Sequence, residues 1–310
     1  MMGRSSFWLA ATVLACAHIA ALAADFLAPY PFDEQRRSRS YSAPESAQPG
    51  RVHFFVHGYR YHLLGIVSCD RHLFGVDPPA TLFLLGSDGL GRDQFSRLLQ
   101  ASRISLAAAW MPTAFSLAAG LLFGTLSGFY GGWLDSWIMR LGEASLALPW
   151  LYLLLAGRAL LPLNLAPGTG YLMLIAMVGL LGWARPARLI RGVVLSAKLR
   201  GYVAAARSFG ASDAYLLRVH VIPDALSVAA TQAMLLAPRY LLAEVTLSFL
   251  GLGVDEPIPS WGNMLAGAQH YYVLASYWWM LLPALPPAIV CFCSFTIGDE
   301  LLARRRAVPL

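Results

Sequence analysis

Within the apolar run LLAPRYLLAEVTLSFL (235–250) of this 310-residue chain stand two ionisable side chains, Arg239 and Glu244. A charge near a bilayer centre costs on the order of 3 kcal/mol even on the lenient insertion scale, so each must face protein or a wet path. Five residues are about 140° of helix. The two therefore do not pair within one helix, and each needs a partner elsewhere. Arg140 and Glu143, by contrast, have the i, i+3 spacing of an ion pair on one helix face. Buried acids of this kind could serve as proton sites in an ion-coupled carrier. Catalysis inside the bilayer would instead need paired Asp, a His/Glu metal set or a Ser/His pair. The apolar runs offer only scattered Glu143, Glu244 and His18, a pattern that excludes a membrane-embedded enzyme.

Other reactive residue types lead no further. His53, His57, His62 and His72 invite a metal reading, but on a strand His53 and His57 sit about 13 Å apart, too far to share one ion with bonds near 2 Å. No metal site is expected. Cys16, Cys291 and Cys293 fall in apolar runs and behave as small core residues, and Cys69 has no partner outside those runs, so no disulfide framework follows. A P-loop requires G-x-x-x-x-G-K-[ST]. The only lysine, Lys198, follows Ala197 and precedes Leu199, so the chain cannot bind ATP in that way.

The elements that must position these groups are membrane helices. The chain is 57% hydrophobic and 13% charged, against the roughly 25% charge of a soluble domain. Windows long enough to cross about 30 Å of hydrocarbon fall near 7–24, 104–126, 137–161, 167–184, 225–252 and 273–298, which predicts six spans. The first also has the form of a secretory signal with a small-residue site at Ala21-Leu-Ala23, and the sequence leaves its cleavage open. Arg185, Arg188, Arg191, Lys198, Arg200, Arg207 and Arg218 crowd the connection between the fourth and fifth windows, whereas 253–272 carries Asp255 and Glu256 and no Lys or Arg. Excess Lys and Arg stay in the cytoplasm. That places the 185–224 loop and both termini inside, with Arg304, Arg305 and Arg306 on the same side.

Four regions follow. They are a helix over 1–24, an exported insert with an interfacial helix over 25–103, a transmembrane domain over 104–300 and a cytoplasmic tail over 301–310. In the insert, QRRSRSYSAPESAQPG (35–50) reads as a linker, and the aromatic-rich residues around Gly58 predict a hairpin in a small β-rich knob over 51–86. Before the second span, Phe95, Leu98 and Leu99 form an apolar stripe with Arg92, Arg97 and Arg103 elsewhere round the helix. This suits an amphipathic segment in the outer interface, with Asp93 as its cap. After the fifth span, Gly251, Gly253, Pro257 and Pro259 break the helix ahead of Trp261, an aromatic suited to the interface, and a gating loop is one reading.

The inward loop contains YVAAARSFGASDAYLLRVHVIPDAL (202–226). Residues 202–209 and 212–221 read as two short helices, with Gly210 between them, Ser212 as N-cap, Asp213 in the second helix's first turn and Pro223 ending it. Ala204, Ala205 and Ala206 leave one face flat. Tyr215, Leu216 and Val219 form an apolar stripe that wants a groove. The segment reads as a docking element.

It resembles the cytoplasmic EAA loop of ATP-binding-cassette importer permeases, a pattern that Ala205, Ala206, Gly210, Ile222 and Pro223 match and from which Ala204, in place of Glu, departs. LGSDGLGRDQFSRLLQASRISL (85–106) and EVTLSFLGLGVDEPIPSWGNML (244–265) are similar to the dipeptide, oligopeptide and nickel branch, specifically its C-type permease. The resemblance implies an all-α integral membrane protein of the type I importer (MetI-like) permease fold in the bacterial inner membrane, without enzymatic activity of its own. It implies ATP and Mg on a pair of partner ATPases, a second, B-type permease chain, and an extracytoplasmic solute-binding protein. Peptide is the implied solute, with nickel or oligosaccharide as alternatives. By the same resemblance, Ala205, Ala206, Gly210, Ala211, Asp213, Tyr215, Leu216 and Pro223 would couple to the ATPase. Glu244, Ser248, Trp261 and Asn263 would line a path or gate, and Arg92 and Asp93 would meet the binding protein.

Overall fold

The computed structural model describes residues 4–44, 51–63, 66–77, 80–160 and 167–307. In chain order the elements are α1 (Arg4–Leu22), α2 (Ala24–Leu27), β1 (Val52–Leu63), β2 (Val67–Val76), α3 (Gln94–Tyr130), α4 (Gly132–Ala147), α5 (Trp150–Leu160), α6 (Pro167–Gly182), α7 (Ala184–Lys198), α8 (Gly201–Ser208) and α9 (Asp213–Leu216). A π-helical turn (Leu217–Val221) leads into α10 (Ile222–Phe249), followed by α11 (Trp261–Ala266), α12 (Tyr271–Ser276), a 3-10 stretch (Trp278–Ala284) and α13 (Leu285–Ala307). Among the described residues, the stretches long and apolar enough to span a membrane are Ser5–Leu22, Gln94–Tyr130, Gly168–Lys198, Asp213–Phe249 and Trp278–Arg304. A sixth exists if α4 and α5, bent by 89° where Leu148 and Pro149 interrupt the helix, are taken as one. This accounts for the six apolar windows.

The chain forms two compact units. The first comprises residues 1–108, 166–168 and 241–293. Here Arg103 donates to the carbonyls of Ala21 and Leu22 at 2.7 and 2.8 Å and to Asp25 Oδ2 at 2.6 Å. A guanidinium thus satisfies the last carbonyls of α1, where a cation suits the helix dipole. β1 and β2 pair antiparallel with a register irregularity between His57 and Tyr61. The hairpin expected in this stretch is present, and its last described pair is Leu63 with Val67, so β1 runs on past Gly58. Gly58 lies within β1, where a Cβ would come within 2.5 Å of the buried His72 ring. His53 and His57 each bind their own carboxylate, Asp77 and Asp70, both at 3.1 Å. Ala268, Val273, Trp279 and Met280 form a buried cluster, against which the stacked rings of Tyr41 and Tyr277 pack, 4.2 Å apart.

The expected interfacial helix is not a separate element. It is the first turns of α3, which runs unbroken for 37 residues. Its polar face is the buried one: Gln94, Ser96, Arg97 and Gln100 are buried, while Phe95, Leu98 and Leu99 are only partly covered.

The second unit comprises residues 109–165, 169–240 and 294–310. Gly120, Gly124 and Gly128 fall on one face of α3 at fourfold spacing and let α7 approach closely. A Cβ on Gly124 would lie 2.5 Å from the Ala187 carbonyl oxygen, and one on Gly128 would lie 2.8 Å from Val194 Cβ. Arg191 of α7 forks onto Asp135 of α4 with two bonds of 2.6 Å. The expected Arg140–Glu143 pair is replaced. Glu143 meets Arg188 of α7 at 3.7 Å instead, because the α4–α7 packing brings a second guanidinium within reach.

Gly124→Val is expected to lower stability by about 1–3 kcal/mol through overpacking. Gly192→Ala, where nothing lies within 4 Å, is expected to be neutral or stabilising by up to about 1 kcal/mol. The thermal midpoints of the purified protein in detergent check both, and equal midpoints would contradict the close approach of α3 and α7.

Candidate functional site

The loop after α7 is built by local rules that each residue satisfies in turn. α8 closes in a Schellman motif: the Gly210 N–H donates to Arg207 O at 3.0 Å and the Ala211 N–H to Ala206 O at 3.1 Å. Gly210 has φ +86° with nothing within 4 Å of the Cβ position, so it is the backbone conformation and not crowding that demands glycine. Ala206 and Ala211 both pack on the same apolar cluster. α9 then starts at Ser212, whose Oγ accepts from the Tyr215 N–H at 3.3 Å. Arg207 and Asp213 clasp across the glycine at 2.8 Å, but both are half exposed and the pair contributes little. Arg200 reaches Asp224 at 2.9 Å.

Pro223 does not end the second helix, as the sequence led us to expect. The chain widens into a π turn, with the Ile222 N–H bonded to Leu217 O, and passes Pro223 in the first turn of α10. Proline fits there because the early N–H groups of a regular helix have no partner anyway. A second correction concerns Leu216. It is fully buried among Phe129, Ile190, Val194, Val203, Val221 and Ala225 and is no part of an exposed stripe. The outward apolar groups include Tyr215 (51% exposed), Tyr202 (48%), Val219 (45%), and two that the amino-acid pattern did not single out, Phe209 (91%) and Leu199 (85%). An aromatic placed immediately before a helix-ending glycine was the available signal for Phe209. Ala205 is exposed beside them and Ala206 half buried.

Glu244, Ser248, Trp261 and Asn263 are brought together in the first unit. Glu244 is buried, and its two oxygens accept from Ser105 Oγ at 2.9 Å and Ser248 Oγ at 2.7 Å. Ser105 Oγ accepts from the Trp261 N–H at 3.1 Å, and Ser248 Oγ from the Val254 N–H at 3.2 Å. Ser260 and Asn263 form a capping box, and Asn263 Nδ2 also donates to Ile258 O at 2.8 Å. Trp261 is 1% exposed, not the interfacial aromatic expected, because the start of α11 is folded inward by these bonds. The partner of Glu244 is thus a set of hydroxyls, not Arg239.

Arg92 and Asp93 are also engaged internally. Arg92 binds Asp88 at 2.6 Å and Glu256 at 2.7 Å, and Arg97 binds Glu256 at 3.0 Å, so one carboxylate ties 250–260 to the start of α3. These partners hold the Arg92 guanidinium above its usual range despite burial. Asp93 caps α3, accepting from the Ser96 N–H at 2.8 Å and Oγ at 2.6 Å. Burial pushes its carboxyl up to about 6, against the lowering effect of those two bonds.

Several long apolar helices define a multi-pass membrane protein. The chain belongs to the family of binding-protein-dependent transport system inner membrane components, whose model matches residues 120–307. It is a permease subunit of that family. It is 35% identical to the dipeptide transport system permease protein of Bacillus subtilis over 72% of this chain and 68% of that one. It is 37% identical to the di/tripeptide transport system permease protein of Pseudomonas aeruginosa over 74% and 75%, and 34% identical to the glutathione transport system permease protein of Pectobacterium atrosepticum over 72% of each. The solved structure of an amino acid ABC transporter with histidines aligns with 68% of this chain and 94% of its own, with TM-score 0.48 and 19% identity.

The raised Asp93 carboxyl sets a pH dependence. The folded chain takes up a proton there between about pH 4 and 6 that the unfolded chain does not, so this group's contribution to stability falls as pH rises through 6, by ~2 to 3 kcal/mol in all. Asp93→Asn keeps a cap acceptor and loses the titration. The thermal midpoint of the native protein relative to Asp93→Asn is expected to be higher at pH 5 than at pH 7.5, and a difference independent of pH would contradict it.

Proposed function

We propose that this chain is the C-type permease of a peptide importer driven by separate ATPases. Its Leu199–Phe209–Tyr215–Val219 surface is the seat of one ATPase subunit, and ATP and Mg are bound there and not by this chain. The observation that carries the reading is that surface. Large apolar groups stand out on and beside a short helical pair whose facing ends are closed by the Gly210 turn and the Ser212 cap, between spans whose connection is rich in arginine. Exposed apolar groups on a rigid helix fit a groove on a partner. The sequence has no P-loop of its own, and the names of the dipeptide, di/tripeptide and glutathione relatives favour a peptide solute over nickel or oligosaccharide. A stand-alone ion-coupled carrier would leave the surface without a purpose.

In this reading the loop and both termini face the cytoplasm, a B-type permease chain completes the path, a pair of ATPases binds from within, and a solute-binding protein docks from outside. The region boundaries at 24, 103 and 300 carry over with it. Ala205, Ala206, Gly210, Ala211 and Asp213 set the angle of the arm, Tyr215 touches the partner, and Leu216 and Pro223 join the arm to α10. Glu244, Ser248, Trp261 and Asn263 brace the loop that frames the outer mouth. Arg92 and Asp93 act on the binding protein through the segment they hold. ATP can shift the inward and outward states only by its partner's differential affinity for the two positions of this arm.

Phe209→Asp, at a nearly free side chain, and Gly210→Trp, at the hinge, are each expected to leave membrane levels unchanged. Both are expected to cut uptake of radiolabelled trialanine by about tenfold or more, in keeping with a displaced coupling geometry. Unimpaired uptake in both would overturn the docking surface. Uptake that collapses with a protonophore while cellular ATP is held constant would favour the ion-coupled carrier.

A further inference from the structure

Arg239, which has no ion-pair partner among the described residues, lines a cavity of about 240 Å³ in the second unit together with Arg185, the fixed Tyr240 and apolar Leu154, Val178 and Leu236. Among the described residues no Asp or Glu lines it, and the sequence has none from 144 to 212. Arg239 lies ten residues from the end of α10, about 15 Å along the helix, which is halfway across some 30 Å of hydrocarbon. Two exposed guanidiniums of one sign on one cavity, Arg239 at mid-span and Arg185 at the inner end where the 185–224 loop begins, with no counter-charge among the described residues, make a site that lacks an anion.

The wall is built. Ser116 Oγ donates to Gly179 O at 2.9 Å, which leaves the Tyr240 hydroxyl to donate to Ser116 at 2.8 Å. Gly182 admits that hydroxyl, since a Cβ would clash with it. α10 and the α6–α7 helix are thereby locked where Arg239 and Arg185 stand. The volume is below the roughly 300–1,000 Å³ of sites that enclose a whole ligand, so it accepts the end of an extended one.

We propose that Arg239 and Arg185 form a carboxylate subsite in the permease, which holds the C-terminal carboxylate of the peptide in transit. This rests on the peptide-import reading above. Guanidinium suits the role because its planar fork meets a carboxylate with two parallel bonds.

The test measures uptake by the assembled importer of trialanine and of trialanine amide, the amide supplied at the concentration that gives the same native rate. Arg239→Gln and Arg185→Gln are expected to slow trialanine by about tenfold or more, as loss of a charge-assisted hydrogen bond implies, and to change the amide by less than about twofold. Arg239→Lys, which keeps the charge and loses the fork, is expected to recover only part of the trialanine rate. Equal losses for both peptides would assign the arginines to an acid on another subunit and overturn the subsite, as would no loss for either. A native importer that takes up neither peptide would overturn the import reading itself, and the subsite with it.

Discussion

Burial of Leu216 is the contact on which the rest of the α8–α9 arm depends. It sits among Phe129 at the end of α3, Ile190 and Val194 of α7, Val203 of α8 and Val221 of the π turn. Full burial of a leucine contributes about 1.5–3 kcal/mol, but its consequence here is geometric. Without it, α8 and α9 would be a loop hung between two spans. With it, they are one packed body with the ends of α3 and α7, so a push on Phe209 or Tyr215 is a push on those helices. Lys198 reinforces the same corner by donating to the Phe129 carbonyl at 2.5 Å.

Charges inside the spans are handled in two contrasting ways. Glu244 is enclosed by Ser105 and Ser248, which in turn accept from the backbone at Trp261 and Val254. A carboxylate that organises four neighbours in this way is a structural rivet, and its partners are hydroxyls because they solvate the acid without adding a second charge. Arg239 has no such cage. It opens onto a cavity with a like-charged companion, where an anion would relieve the repulsion of the two. The same helix therefore carries one satisfied and one waiting charge.

At the start of α3, Asp88, Arg92, Arg97 and Glu256 form a chain of alternating sign in which Glu256 receives from two arginines. Arg97 is almost wholly buried. This chain, together with the serine hydroxyls on Glu244 that accept from Val254 and Trp261, holds 250–260 from both ends. That explains how a segment so rich in glycine and proline keeps a single course.

Much of this was legible in the amino-acid order. Hydrophobic run lengths gave the spans, because a bilayer imposes one length on every helix. Ser212, Asp213 and Gly210 gave the caps of the arm, because capping is a matter of neighbours within four residues. Asp93 was legible as a cap for the same reason. Which side chains meet across the fold was not. Glu143 meets Arg188 instead of Arg140, Leu216 turns inward, Trp261 is buried, and the hairpin turns beyond Gly58, each decided by residues tens of positions away. Arg239 and Glu244 announced by sequence only that each needed a partner. Tertiary packing supplied serines to one and an open cavity to the other, because a pattern along the chain fixes which face a residue occupies, and only the packing of helices fixes what stands opposite.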